Sequence, residues 1–73
     1  MEQEGIQTGQ YQHYKGNRYE VLGVAEHSEA NEKFVVYRAL FDGYHMYVRP
    51  LEEFKAIVDI DGKKVERFQY VGN

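Results

Sequence analysis

Phe34-Val35-Val36-Tyr37-Arg38-Ala39-Leu40-Phe41-Asp42-Gly43-Tyr44-His45-Met46-Tyr47-Val48-Arg49-Pro50 is the stretch whose reading decides the fold. Residues 34–41 are rich in β-branched and aromatic side chains, which suit a pleated strand. Only Arg38 interrupts them. Hydrophobicity at consecutive positions predicts a central strand buried on both faces. Asp42-Gly43 follows, a pair that tolerates positive φ and reads as a hairpin turn. Tyr44 to Arg49 is then the return strand, ended by Pro50, which has no N–H for the ladder. Leu51-Glu52-Glu53-Phe54 reads as one helical turn, because proline at its start and early acids both suit a helix N-terminus.

The same alternation extends in both directions. Upstream, Gln10 to Lys15 is expected to be the first strand, Gly16-Asn17 a turn, and Arg18 to Glu26 the second strand. Gly23 sits where the apolar face of that strand changes, which predicts a bulge or a corner. His27 to Glu32 is a polar loop. Downstream, Lys55 to Ile60 and Lys64 to Val71 are strands joined by Asp61-Gly62, the clearest type I′ turn in the chain. Residues 1–9 are polar apart from Met1 and Ile6 and are expected to form a flexible tail or a loosely docked arm. Residues 10–73 then form one all-β domain, a small barrel or roll of five to six short antiparallel strands with one helical turn.

Composition narrows the function classes. A chain of 73 residues is one domain. Such a domain buries only roughly 60–65% of its unfolded surface. It has no Cys, so neither disulfides nor thiolate zinc sites support it. Packing must do so, and seven Tyr and four Phe are the available material. A net charge of −3 and no basic run longer than Lys63-Lys64 argue against non-specific nucleic-acid binding. No apolar run reaches the roughly 18 residues of a membrane helix. Met1-Glu2-Gln3-Glu4 is acidic where a secretory leader would be basic. The expectation is a cytoplasmic protein with no membrane partner.

Tyr11-x-His13-Tyr14-Lys15-Gly16-Asn17-x-Tyr19-x-Val21-Leu22 resembles the opening signature of a small bacterial family, domain of unknown function 1653. His27-Ser28-Glu29, Val35-Val36-Tyr37-Arg38-Ala39-Leu40, Val48-Arg49-Pro50-Leu51 and Arg67-Phe68 resemble its later blocks in the same order, and Tyr47 supplies the aromatic residue before Val48. The match spans roughly residues 10 to 72. It implies an SH3-like barrel or roll. It implies no activity.

Several groups are candidates for chemistry. A metal site would need the fold to gather His13, His27 and His45, with Glu29 or Asp42 as a further ligand; the plainer reading is three unrelated imidazoles. Ser28 lies between His27 and Glu29, but adjacent loop residues rarely aim at one another, and a capping hydroxyl is the ordinary role. Arg38 and Arg49 are either paired with carboxylates or aimed at a ligand anion. For Arg38 the expected partner across the ladder is Glu20 or Glu26. Tyr11, Tyr14, Tyr44 and Tyr47 are either core or part of an aromatic binding face. No phosphate-cradling glycine loop is present, and no cofactor is expected.

These readings lead to a non-catalytic binding module for a peptide, nucleotide or oligonucleotide, with His13, Tyr14, Arg38, Tyr47 and Arg49 as its contact residues. One alternative is a small enzyme or accessory domain with His13 or His27 as acid/base, which predicts an imidazole bonded to a carboxylate. Another is a self-association domain, a monomer or weak dimer, which predicts an open strand edge or an apolar patch.

Overall fold

The computed structural model describes residues 2–3 and 5–72. The chain is all-β. In order it forms β1 (Glu2–Gln3), β2 (Ile6–Gln7), β3 (Gly9–His13), β4 (Arg18–Glu26), β5 (Lys33–Ala39), β6 (Met46–Pro50), α1 (Leu51–Phe54), β7 (Ile57–Ile60), β8 (Lys63–Glu66) and β9 (Phe68–Gly72). Five strands make one antiparallel sheet in the order β6-β5-β4-β3-β9, and β1-β2 and β7-β8 are separate two-stranded ladders. The first long strand thus pairs on both sides, with β4 and with β9. The ladder does not close into a circuit; β6 and β9 are its two edges.

Register decides what each face carries. Residues paired across an antiparallel ladder share a face. One face bears Tyr11 and His13 of β3, Tyr19, Val21 and Val24 of β4, and Val35, Tyr37 and Ala39 of β5. Tyr47 and Arg49 of β6 and Phe68 and Tyr70 of β9 complete it. This inner face holds the core: Val21, Val35, Tyr37, Ala39, Tyr11 and Phe68 are all buried. The register shifts between Val21 and Gly23, the bulge expected at that glycine. The shift returns Val24 to the inner face opposite Val35 and leaves Leu22 exposed.

β5 departs from the expectation of burial on both faces. Val35, Tyr37 and Ala39 are buried, whereas Arg38 is exposed and Phe34 and Val36 are half-buried. The strand is central in pairing, but only the inner face of the sheet has a layer packed on it. That layer is α1, whose Phe54 is 1% exposed. Phe54 meets the rings of Tyr11, Tyr37 and Phe68 at centroid distances of 5.4, 5.3 and 4.1 Å. Pro50 sets up this cover by ending the β6 ladder and starting the helical turn.

Both aspartate–glycine turns form. Asp42 and Gly43 take φ of 45° and 90°, and Tyr44 N–H donates to the Phe41 carbonyl (3.1 Å), a type I′ turn. Asp61 and Gly62 do the same between Ile60 and Lys63, and Gly62 N–H also donates to Asp59 Oδ1 (3.0 Å). The described strands outnumber the five or six expected for two reasons. Arg67 breaks the last one into β8 and β9, and β1-β2 arises within residues 1–9. Of that segment, Met1 and Glu4 lie outside the described residues, as does Asn73 at the other end. Ile6 is 5% exposed and belongs to the core. The Tyr11 hydroxyl donates to the Gln7 carbonyl at 2.7 Å, which ties the arm to the sheet.

Candidate functional site

The β3–β4 connection carries two of the candidate residues, His13 and Tyr14, and backbone hydrogen bonds fix it tightly. His13 N–H donates to the Asn17 carbonyl (2.8 Å), and Gly16 N–H donates to the His13 carbonyl (2.7 Å). Tyr14 N–H donates to the Arg67 carbonyl (3.0 Å), which docks the loop on the β8–β9 junction. The Gln12 carboxamide donates to the Gly16 carbonyl (3.1 Å). Lys15 N–H donates to His13 Nδ1 (3.1 Å), so the neutral imidazole carries its proton on Nε2. These bonds present His13 and Tyr14 as a stacked pair, with centroids 4.5 Å apart and planes 30° from parallel.

From that pair an aromatic row crosses the inner face. His13 meets Phe68 edge-on at 4.9 Å and Tyr19 at 6.4 Å. Tyr19 in turn meets Tyr37, Phe41 and Phe68 at 5.6, 5.5 and 5.6 Å, and Tyr37 meets Tyr47 at 5.7 Å. Phe54 covers the half of this row around Tyr11, Tyr37 and Phe68. The other half stays open: Tyr14, Phe41 and Tyr47 are 38, 37 and 45% exposed.

Arg49 stands at the boundary between the covered and open halves. Its guanidinium carbon lies 5.7 Å from the Phe68 ring centroid, and its Nε donates to the Tyr37 hydroxyl at 3.3 Å. Its carboxylate partner, Glu53, is 3.7 Å away and exposed. Arg67 Nε is buried without an acceptor. The His13 pKa is lowered, first by burial and then by the positive charges of Lys15, Arg49 and Arg67. The neighbourhood is therefore electropositive although the chain is acidic overall. Burial pushes the Tyr19 phenol up, with Tyr37 and Tyr47 adding to the effect.

Arg38 stands apart. It lies directly opposite Glu20 in the β4–β5 register, on the outer face. Its Nε and Nη2 donate to Glu20 Oε1 at 3.0 and 2.8 Å. Arg38 and Arg49 are an odd number of residues apart along the hairpin pairing, so the register sends them to opposite faces. His27 is also removed from the row: its Nδ1 accepts N–H bonds from Glu29 and Ala30, both 3.1 Å, and so caps its own loop. Among the described residues no group of three or more His, Asp or Glu is placed to hold a metal. Among the described residues no helix is long and apolar enough to cross a membrane.

A cleft adjoins the row. It holds about 430 Å³ and runs between the His13–Asn17 loop and the β7–β8 hairpin, lined by Gln12, His13, Tyr14, Ile60, Val65 and Gln69 among others. The stacked His13–Tyr14 pair is the wall between the cleft and the aromatic row.

The family model described as "Protein of unknown function (DUF1653)" matches residues 9–70. The chain belongs to this family. A crystal structure of a DUF1653 protein from Bordetella bronchiseptica is similar over 97% of this chain and 94% of that one, with 37% sequence identity and a TM-score of 0.86. No curated protein matches. The DUF1653 blocks quoted from the sequence fall on distinct elements of the fold. The opening block forms β3, the His13–Asn17 loop and the start of β4. The block ending in Pro50 and Leu51 forms β6 and the entry to α1. Of the site residues expected in this DUF1653 chain, His13, Tyr14, Tyr47 and Arg49 fall on or beside the aromatic row, and Arg38 does not. Tyr19 and Arg67 belong to the quoted family blocks but are not among the site residues expected from the sequence. Tyr19 was legible in principle, since it alternates with Val21 in β4. Arg67 was not, because the break it makes between β8 and β9 follows from its N–H bond to the Ala56 carbonyl.

Proposed function

We propose that this DUF1653 chain is a non-catalytic, cytoplasmic binding module whose ligand lies against the open half of the aromatic row. His13, Tyr14, Tyr47 and Arg49 are its contacts. The observation that carries this reading is Arg49, a partly exposed guanidinium on the same face of β6 as the exposed Tyr47, with its nearest carboxylate 3.7 Å away. Aromatic faces stack on planar rings, and a guanidinium pairs with phosphate or carboxylate. A nucleotide or short single-stranded oligonucleotide satisfies both, and is preferred here over a peptide. The acid/base alternative has less support, since the described bonds of His13 and His27 are to backbone N–H groups rather than to carboxylates.

Amide chemical-shift mapping by NMR against nucleotides, short oligonucleotides, peptides and zinc tests the reading. The expected result is a cluster of shifts at His13, Tyr14, Tyr19, Tyr47 and Arg49 with a nucleotide or oligonucleotide, weakened by salt and by Tyr47→Ala. Removing a stacking ring costs about 1–3 kcal/mol per base. Shifts centred on Arg38 and Glu20, or none with any member of the panel, would overturn it.

A further inference from the structure

β6 is an edge strand with few of the devices that natural edges use against association. Tyr44, Met46, Tyr47 and Val48 are 61, 61, 45 and 62% exposed, and none of them is charged. Protected edges carry lysines, inward charges or bulges. Here Pro50 and the inward-facing Arg49 guard one end, and residues 44–48 before them carry no Lys, Arg, Asp, Glu or Pro.

The hydrogen-bonding direction of each residue follows from the hairpin. Ala39 N–H donates to the His45 carbonyl (2.9 Å), so 39 and 45 are a hydrogen-bonded pair. Such pairs alternate along an antiparallel ladder. Tyr47 and Arg49, opposite Tyr37 and Val35, therefore turn their N–H and C=O groups toward β5. Met46 and Val48 turn theirs outward. The edge thus presents two N–H groups and two C=O groups in an extended segment that another strand would satisfy.

We propose that the strand that satisfies them is β6 of a second copy, antiparallel about a two-fold axis through Tyr47. In this register Met46 faces Val48 of the second copy and Val48 faces its Met46, giving four backbone hydrogen bonds. Both contacts on the outer face are apolar against apolar. On the inner face Tyr47 meets its own equivalent, and Arg49 lies opposite His45. The pairing ends there, because Pro50 has no N–H to donate outward and Tyr44, at φ 54°, leaves the extended conformation. No pair sets like charges of Lys, Arg, Asp or Glu against each other, so the edge is its own complement in shape, polarity and charge. The two sheets join into one of ten strands, and the two aromatic rows become continuous. The association shares Tyr47 and Arg49 with the proposed contacts, but it is measured without ligand, so its failure and the failure of the binding reading are distinguishable.

The chain has no native Cys, which makes the register directly readable. Tyr47 and its equivalent form a non-hydrogen-bonded pair with Cα atoms about 4.5 Å apart, within disulfide range. Oxidised Tyr47→Cys is expected to cross-link to itself. Met46→Cys and Val48→Cys are each expected to fail alone, their equivalents lying beyond the roughly 7 Å limit, and to cross-link when mixed. Sedimentation equilibrium of the unmodified chain is expected to show a concentration-dependent monomer–dimer equilibrium that Val48→Lys shifts to monomer. An unmodified chain that stays monomeric at all concentrations overturns the proposal. So does self-cross-linking of Met46→Cys in place of Tyr47→Cys.

Discussion

Phe54 of α1 and Phe68 of β9 lie face to face, with centroids 4.1 Å apart and planes 3° from parallel. Phe54 also meets Tyr11 and Tyr37 edge-on, and so joins three strands to the helical turn. The stack also reaches the candidate site, because the Phe68 ring that Phe54 supports also carries Arg49 and His13. The covered and open halves of the inner face meet at this one ring.

Phe54→Ala is accordingly expected to be the most damaging single substitution in the helical turn. Truncating a buried Phe costs about 3–5 kcal/mol, and domains of this kind hold only about 5–15 kcal/mol in all. Urea unfolding followed by tyrosine fluorescence is expected to show a large fall in midpoint, with Phe54→Leu falling much less. Equal midpoints for Phe54→Ala and the unmodified chain would mean that α1 does not close the core.

His13 makes stability depend on pH with a definite sign. Its folded pKa is lowered, chiefly by burial, so between that value and the ordinary value of about 6.5 the unfolded chain binds more protons than the folded one. Stability is therefore full above about pH 6.5 and is lost as pH falls below it. Protonation also destroys the acceptor used by Lys15 N–H. Asn at this position offers a carboxamide oxygen near the place of Nδ1 and does not titrate. Urea midpoints measured from pH 7.5 to 5 are expected to fall more steeply for the unmodified chain than for His13→Asn; parallel curves would remove His13 as the cause.

Arg38 and Glu20 form a short ion pair, yet both side chains are well exposed, at 45 and 34%. Solvent screening then limits their coupling to about 0.2–1 kcal/mol. A double-mutant cycle with Glu20→Ala and Arg38→Ala is expected to give a value in that range that shrinks in high salt. Ligand shifts on the aromatic row are expected to be the same in Arg38→Ala as in the unmodified chain, because the pair sits on the other face.

Local chemistry made much of the fold legible. The β4 boundaries, both Asp-Gly turns, the bulge at Gly23 and the helical turn after Pro50 follow from residues a few positions apart, whose φ preferences and hydrogen-bonding capacity do not depend on distant partners. The double pairing of β3 was open in the sequence, since nothing local says which of two strands a short apolar segment will join. Ile6 read as part of a tail because its burial comes from packing onto the core rather than from any pattern around it.

Residue type and spacing were enough to say that the chain is all-β, where it turns, and that His13, Tyr14, Arg38, Tyr47 and Arg49 are candidates. It took the folded arrangement to place Arg49 beside the aromatic row and to pair Arg38 with Glu20, rather than Glu26, behind it. The reason is register: along a strand successive side chains alternate faces, so a shift of one residue, such as the bulge at Gly23, exchanges inside for outside. Residue type says that a guanidinium needs a partner, and ladder pairing says on which side it will find one.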